Sequence, residues 1–277
     1  MTDKTKTQTA PATWQQILED AVNVPGTISK AFQMFHNYSI GNQMLALWQC
    51  SAKGIEPGPI GTFKAWKEKG RFVMKGQKAI SLCQPVKRTF TVDKTDESGS
   101  VVMGADGKPE KTKVQFSQFI YPSRWFVMSQ TDGKEVEPEE VPGWDRSKAL
   151  TGLNISEESF NMPDGNTGGY AYKRTISVNP LHPHQTRIAL HELAHVVLGH
   201  TEERLTDVLS GNATPRNIRE VEAETTALIV SEALGLEGSE ESRGYIQNWL
   251  RGGKDIPEKS AQKIFKAANE ILTAGKV

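Results

Sequence analysis

Ile188-Ala189-Leu190-His191-Glu192-Leu193-Ala194-His195-Val196-Val197-Leu198-Gly199 is the stretch that decides how this chain reads. Histidines four residues apart lie one above the other on a helix face. Two imidazoles placed so can bind one zinc ion, and a glutamate beside the first can act as general base on the metal's water. The rest of the stretch is apolar on nearly all sides, which marks a buried helix. Burying His191, Glu192 and His195 is costly unless something satisfies them, and a metal ion does that. Gly199 reads as the helix end.

A third ligand is needed. The long metzincin pattern requires glycine three residues after the second histidine and a third histidine three further on. Those places hold Leu198 and Thr201, which excludes that class. His200 follows the terminating Gly199 and is expected to point elsewhere. The better source is Arg219-Glu220-Val221-Glu222-Ala223-Glu224, with Thr214 as N-cap, Pro215 at the first helical position and Gly235 as the stop. Glu220 and Glu224 are i, i+4 and share a face, while Glu222 points away. Glu220 is taken first as metal ligand, and Glu224 as the carboxylate that orients a histidine ligand from behind. The spacing leaves these two roles interchangeable. Most charge runs are solvated faces, but Thr225-Thr226-Ala227-Leu228-Ile229-Val230 makes this helix too apolar to be freely exposed.

Two histidines followed by a Glu-x-x-Ala-Glu helix resemble the gluzincin arrangement, and in particular the IrrE and ImmA type of metallopeptidase domain. That resemblance implies a zinc-dependent peptidase of the HExxH-plus-Glu kind. Its E-x-x-A-N pattern makes the first glutamate a ligand, here Glu220, and Glu224 stands where the pattern has Asn.

The chain has 277 residues, 37% hydrophobic and 24% charged, which suits a globular protein of two domains. No run approaches 18 apolar residues, so no transmembrane helix is expected. Met1 to Thr9 is polar and lacks the apolar core of a signal peptide, which predicts a cytoplasmic protein. Cys50 and Cys83 are far apart and read as reduced thiols. The net charge is zero, yet residues 1–90 hold 12 Lys and Arg against 5 Asp and Glu, and residues 91–277 hold 21 against 28. A basic half on a neutral chain points to a polyanionic partner for that half alone.

Within the basic half, residues 12–24 and 28–52 read as helices, and Ala79 to Val86 as a strand. Between them Lys64, Lys67, Lys69, Arg71, Lys75 and Lys78 are interleaved with Phe63, Trp66 and Phe72. Cations neutralise phosphates and aromatic faces stack on unpaired bases, so this segment carries the equipment of a single-strand binder, with Trp66 as a stacking residue. The plainer reading makes Phe63 and Trp66 core and the lysines ordinary surface.

Tyr38-Ser39-Ile40-x-Asn42 and Phe63-x-x-Trp66-x-x-x-Gly70-Arg71-x-Val73-x-Lys75-Gly76-x-Lys78-Ala79-Ile80 resemble the N-terminal domain of ArdC-type antirestriction proteins, whose relatives occur in plasmid-borne primases of the TraC type. The likeness resumes at Phe126-Val127-Met128-Ser129-Gln130-Thr131-Asp132-Gly133, with Met128 where Asp is expected, and again from Gly169-Tyr170 through His195. It implies single-stranded DNA binding by the first domain and protection of incoming mobile-element DNA from host endonucleases, in a bacterial cytoplasm.

Thr91 to Lys113 is polar and reads as a long hairpin loop or insertion, and Gln115 to Met128 is strand-like. Asp132 to Trp144, with Gly133, Pro138, Pro142 and Gly143, reads as the interdomain linker. Gly168 to Val178 looks like a hairpin leading to the zinc helix, from which Tyr170 or Tyr172 could stabilise an oxyanion; the plainer reading makes them sheet aromatics. Asp255-Ile256-Pro257 opens a final amphipathic helix ended by Gly275.

The expectation is therefore an α+β protein. Residues 1–135 form a helix-plus-twisted-sheet domain for single-stranded DNA, a linker covers about 132–146, and residues 147–277 form a zincin-like metallopeptidase domain. His191, His195 and Glu220 hold Zn²⁺, with Mn²⁺ or another divalent ion as the alternative, and Glu192 is the base. Two rival readings stand beside this one. The chain is a peptidase of a host or regulatory protein that DNA merely localises, or it coats DNA around a structural metal site.

Overall fold

The computed structural model describes residues 12–96, 99–104, 106–137, 139–162, 167–202 and 214–277. The expected polar terminus Met1 to Thr9 and Pro138 of the expected linker lie outside them.

The chain starts as helices because caps and apolar stripes fall in step. Thr13 accepts the Gln16 N–H and opens α1, Trp14–Asn23, which buries Ile17, Leu18, Ala21 and Val22. Gly26, at φ +80°, turns the chain into α2, Thr27–Phe35, which buries Ile28, Ala31, Phe32 and Phe35. Then α3 spans Ile40–Lys53 and stops at Gly54 in the left-handed region. A single helix over 28–52 is thus corrected to two. Ser39 takes an extended N-cap backbone, the Tyr38 carbonyl accepts the Gln43 amide, and the Tyr38 hydroxyl donates to Ile60 O at 3.1 Å. Those bonds pull the chain out of the helix at His36–Ser39, where periodicity alone gives no break.

Short strands follow. β1, Ile60–Thr62, leads directly into α4, Phe63–Glu68, capped by Thr62 on the Ala65 N–H. β2 is Arg71–Val73, β3 Ile80–Ser81, β4 Gln84–Asp93, β5 Lys111–Ile120, β6 Ser123–Val127 and β7 Thr131–Gly133. β6 lies between β1 and β3, both antiparallel to it, and β2 pairs with β7. β4 and β5 form a ten-residue antiparallel ribbon with no third strand among the described residues. The expected long hairpin loop is thus shorter than the sequence suggests, since Thr91 to Asp93 and Lys111 to Lys113 are already in the ladder.

In the second half, α5, Arg146–Gly152, is capped by Asp145 on Lys148 N. β8, Ser156–Glu158, pairs in parallel with β10, Thr175–Val178, whose other side takes β9, Gly169–Tyr172, in an antiparallel hairpin. α6 spans Gln185–Val197, α7 Arg216–Leu234, α8 Ser239–Arg251 and α9 Glu258–Ala274. Pro215 is the N-cap of α7 rather than its first helical residue, one position from expectation. α7 is buried almost all round, as its apolar run requires.

The mixed helix-and-sheet class holds. The hydrophobic core runs through both halves of the chain: Ile17, Leu18, Phe32, Phe35 and Leu45 belong to one cluster with Leu228, Ile229, Ile246, Ile264 and Phe265. α2 packs on α7, while α1 and α3 pack on α9, with the Trp14 and Phe265 rings 5.5 Å apart. Arg243 of α8 bridges the same seam. It donates to the carbonyls of Ala21 and Val22 at the end of α1 and pairs with Glu232 of α7, which accepts the Ile28 N–H at the start of α2. Among the described residues no helix is long and apolar enough to cross a membrane. Cys50 and Cys83 are unpaired, and burial pushes the Cys50 thiol up to about 11.

Candidate metal centre and nucleic-acid surface

α6 and α7 lie side by side and bring the predicted ligands together. His191 and His195 point the same way from α6, with their Nε2 atoms 3.1 Å apart. Glu220 Oε2 comes from the first turns of α7 to 3.6 Å from His191 Nε2 and 3.7 Å from His195 Nε2. One ligand atom from each of the three lies within 4.8 Å of the others, the spacing of donors around a shared ion. Two imidazole nitrogens and a carboxylate suit zinc and other divalent first-row ions.

Electrostatics point the same way. Burial disfavours a charged His191, but hydrogen bonds from Glu220 and Glu224 and the charges of Glu224 and Glu192 outweigh it and hold the imidazole at about 9. Bonds from His191 and His195 hold Glu220 well below the usual carboxylate range. The cluster thus draws a proton onto a largely buried imidazole, 16% exposed, and a divalent cation would replace that proton at the same place. The residues fit a metal.

The interchangeable roles of the two glutamates separate in space. Glu220 faces the Nε2 atoms, whereas Glu224 Oε2 sits 2.7 Å from His191 Nδ1, behind the ring. Arg187 Nη2 donates to Glu224 Oε1 at 2.8 Å, and Arg187 Nε also lies 3.1 Å from Ser242 Oγ on α8. Burial raises the Glu224 carboxyl, but the His191 bond leads the opposing effects and brings it down to about 2. Glu192 is buried on α6. Burial raises its carboxyl above the ordinary value, with His191 and His195 opposing. A carboxylate so raised suits general acid–base work.

Glu222 does point away from the Glu220–Glu224 face, but into the protein rather than into water. It is fully buried, with Oε2 2.9 Å from His200 Nε2. His200 turns its other nitrogen, Nδ1, to His195 Nδ1 at 3.0 Å, so it stands behind a ligand and outside the three-residue cluster.

Strand β9 passes close over α6. A Cβ on Gly169 would fall 2.6 Å from Ile188 Cγ2 and 3.1 Å from Glu192 Cγ, so this approach needs a glycine. Neither hairpin tyrosine is brought to the ligands. The Tyr170 hydroxyl donates to Glu158 Oε1 at 3.0 Å, and Tyr172 is exposed beside Lys173. Tyr245, which the sequence did not single out, feels the charge of the site instead. It lies one turn beyond Ser242 on α8, half exposed; burial first, then the charges of Glu220 and Glu224, raise its phenol. The i, i+3 spacing from Ser242 was the only signal for it, and it has meaning only once Ser242 is known to touch Arg187.

The basic segment is partly corrected. Trp66 is only 2% exposed, and its indole donates to Phe126 O at 2.9 Å, so it is a core residue with no face to offer a base. Arg71 spends its guanidinium on Thr131 Oγ1, Thr131 O and Lys134 O, joining β2 to β7. Lys69 pairs with Glu139 at 2.9 Å, and Lys64 lies 3.8 Å from Glu68. Lys67, Lys75 and Lys78 are exposed. The solvent-facing aromatics are Phe63 and Phe72, at 59% and 57% exposure, together with Phe90, Phe116 and Phe119 of the β4–β5 ribbon.

The family model for the N-terminal domain of the anti-restriction factor ArdC matches residues 4–121, and that for the IrrE N-terminal-like domain matches residues 150–251. An uncharacterized protein of Bacillus anthracis is 24% identical across 97% of this chain, which spans about half, 53%, of that relative's length. Two crystal structures of the antirestriction ArdC protein from plasmid R388 are similar to the chain. The metal-free structure is 21% identical with a TM-score of 0.47, covering 94% of each chain; the Mn(II)-bound one is 19% identical with a TM-score of 0.47, covering 94% of this chain and 97% of that one.

Proposed function

We propose that the chain, an ArdC N-terminal domain followed by an IrrE-like domain, is an ArdC-type antirestriction protein that binds single-stranded DNA and hydrolyses peptides at a divalent-metal site. The observation that carries the second half is the convergence of His191 Nε2, His195 Nε2 and Glu220 Oε2 beside the buried carboxylate of Glu192. When bound, a divalent ion, zinc first and manganese as the alternative, supplies an acidified water and a positive charge for a peptide carbonyl oxygen.

The protein's own residues do the rest. Glu192 accepts a proton from the attacking water as the C–O bond forms. It delivers that proton to the departing amide nitrogen as the C–N bond breaks. Tyr245, rather than Tyr170 or Tyr172, donates its hydroxyl hydrogen bond to the carbonyl oxygen. Among the described residues β9 has β10 on one side and no strand on the other, an edge along which an extended peptide can add as a strand.

For DNA, the reading places phosphates on Lys64, Lys67, Lys75 and Lys78 and bases on Phe63 and Phe72. The ribbon, with Phe90, Phe116 and Phe119 among Lys87, Arg88 and Lys113, extends the same kind of surface. The division into a DNA unit up to about residue 135 and a peptidase unit from about 147 is functional. The two units share one core and so keep a fixed relation.

A restriction-protection assay tests this with two variants of the full chain. The triple change Phe72→Ala, Lys75→Ala, Lys78→Ala is expected to lose binding of single strands and protection of incoming DNA. Glu192→Gln is expected to keep its metal and its DNA affinity and to lose peptide hydrolysis. Full protection by the triple variant, or hydrolysis by Glu192→Gln, overturns the corresponding half.

A further inference from the structure

The two histidines are held from behind by unlike groups. His191 Nδ1 meets a carboxylate directly, that of Glu224, at 2.7 Å. His195 Nδ1 instead meets the ring of His200 at 3.0 Å, and His200 Nε2 meets Glu222 Oε2 at 2.9 Å. The His200 and Glu222 side chains are 5% and 1% exposed. A buried polar side chain costs stability unless it is bonded, and among the described residues Glu222 is bonded through Oε2, to His200, with Oε1 left unpartnered.

The chain places this ring by a turn. Gly199 adopts φ +79°, which favours glycine, and the His200 N–H returns to His195 O at 3.0 Å. The reversal lays the His200 ring beside the His195 ring, with centroids 5.1 Å apart. Glu222, between Glu220 and Glu224 on α7, points to the other side of the helix and meets His200 there.

Proton counting then fixes every donor. If His195 offers the Nε2 lone pair that faces Glu220, its proton resides on Nδ1. That proton is donated to His200 Nδ1, which must be bare. The His200 proton is therefore on Nε2, and it is donated to Glu222 Oε2. We infer that His200 and Glu222 are positioning residues for His195, a two-member relay that fixes its tautomer and ring plane and brings a carboxylate's charge to it through one imidazole. The inference rests on the metal reading proposed above. It assigns Gly199-His200 and Glu222 a role that neither the H-E-L-A-H motif nor the Glu220–Glu224 face contains.

The test uses the full-length protein and Zn²⁺ alone, with affinity read by chelator competition and ring protonation by long-range ¹H–¹⁵N NMR of the histidines. Ligand-orienting partners are worth roughly 10–100-fold in metal affinity. His200→Ala is expected to lose that much. His200→Gln should restore most of it, because its Oε1 can accept from His195 and its amide can donate to Glu222. Glu222→Gln should fall between, since it keeps an acceptor and loses the charge. In the zinc-loaded wild type, His195 should carry its proton on Nδ1 and His200 on Nε2. A purely packing role for His200 would not be rescued by glutamine. Folded His200→Ala that binds zinc within about twofold of wild type, or a wild type with His200 protonated on Nδ1, overturns the relay and leaves the metal site standing. A wild type that binds no divalent ion overturns both. If His200→Ala does not fold, Glu222→Gln and the wild-type spectrum decide.

Discussion

Glu232→Ala should uncouple the two halves of the chain more than any surface change. Glu232 lies on α7 with its side chain 7% exposed, and Arg243 facing it is 3% exposed. One carboxylate oxygen pairs with Arg243, and the other accepts the Ile28 N–H at 3.1 Å. That second bond matters because α2 opens on Gly26, which has no side chain to cap it. Truncation leaves a buried guanidinium facing the exposed Glu240 carboxylate, 3.8 Å from its Nε, in place of its buried anion, and a helix start without its acceptor. Removing one member of a buried pair costs about 3–5 kcal/mol, of which the lost cap is about 1 kcal/mol. Arg243 keeps the carbonyls of Ala21 and Val22, so the lower end, about 3 kcal/mol, is expected. Glu232→Gln retains an acceptor for Ile28 and should lose about 1–2 kcal/mol. Urea denaturation followed by tryptophan fluorescence reads both, since Trp14 sits on the affected seam. A loss below about 1 kcal/mol for Glu232→Ala would show that the seam between α1–α2 and α7–α8 does not depend on this pair, and would refute the role given to Glu232.

Phe63→Ala and Phe72→Ala should each cost single-strand affinity about 1–3 kcal/mol, whereas Trp66→Phe should change stability and leave the salt dependence of binding unaltered; filter binding across a salt series separates these. Lys75→Ala with Lys78→Ala should flatten the salt slope by about one unit for each phosphate that is no longer neutralised. Metal uptake should release a proton, because His191 of the metal-free protein is held at about 9. Apparent affinity should then rise about tenfold per pH unit up to that value and level off above it, as calorimetry in buffers of different ionisation heat can read. The sign for the metal-free fold is opposite: a raised histidine stabilises fully below its unfolded value of 6.5 and ceases to do so as pH rises through about 9.

What the sequence made legible was local. The four-residue spacing of His191 and His195 and of Glu220 and Glu224 is a property of single helices, so both faces could be read before α6 and α7 were known to touch. The division of labour between Glu220 and Glu224 could not, because it depends on the side from which α7 meets the histidine rings. His200 was set aside for following a helix-ending glycine, yet that same turn carries it behind His195. Trp66 failed for a related reason. Phe63 and Trp66 are i, i+3 on a six-residue helix, and only the packing of α4 against β1 and β6 buries one and leaves the other out. The core continuous from α1–α3 to α7–α9 joins residues more than 200 positions apart, beyond the reach of any periodicity.

The most direct measurement of the central claim is metal content and affinity across four full-length proteins: wild type, His191→Ala, Glu220→Ala and Glu224→Gln. The account predicts about one divalent ion per chain in the wild type, none in His191→Ala, severe weakening in Glu220→Ala, and a weakening of roughly 10–100-fold in Glu224→Gln, whose carboxylate only orients a ligand. Folded Glu220→Ala that holds its ion as tightly as wild type, with Glu224→Gln unable to hold it, would contradict the assignment of the site.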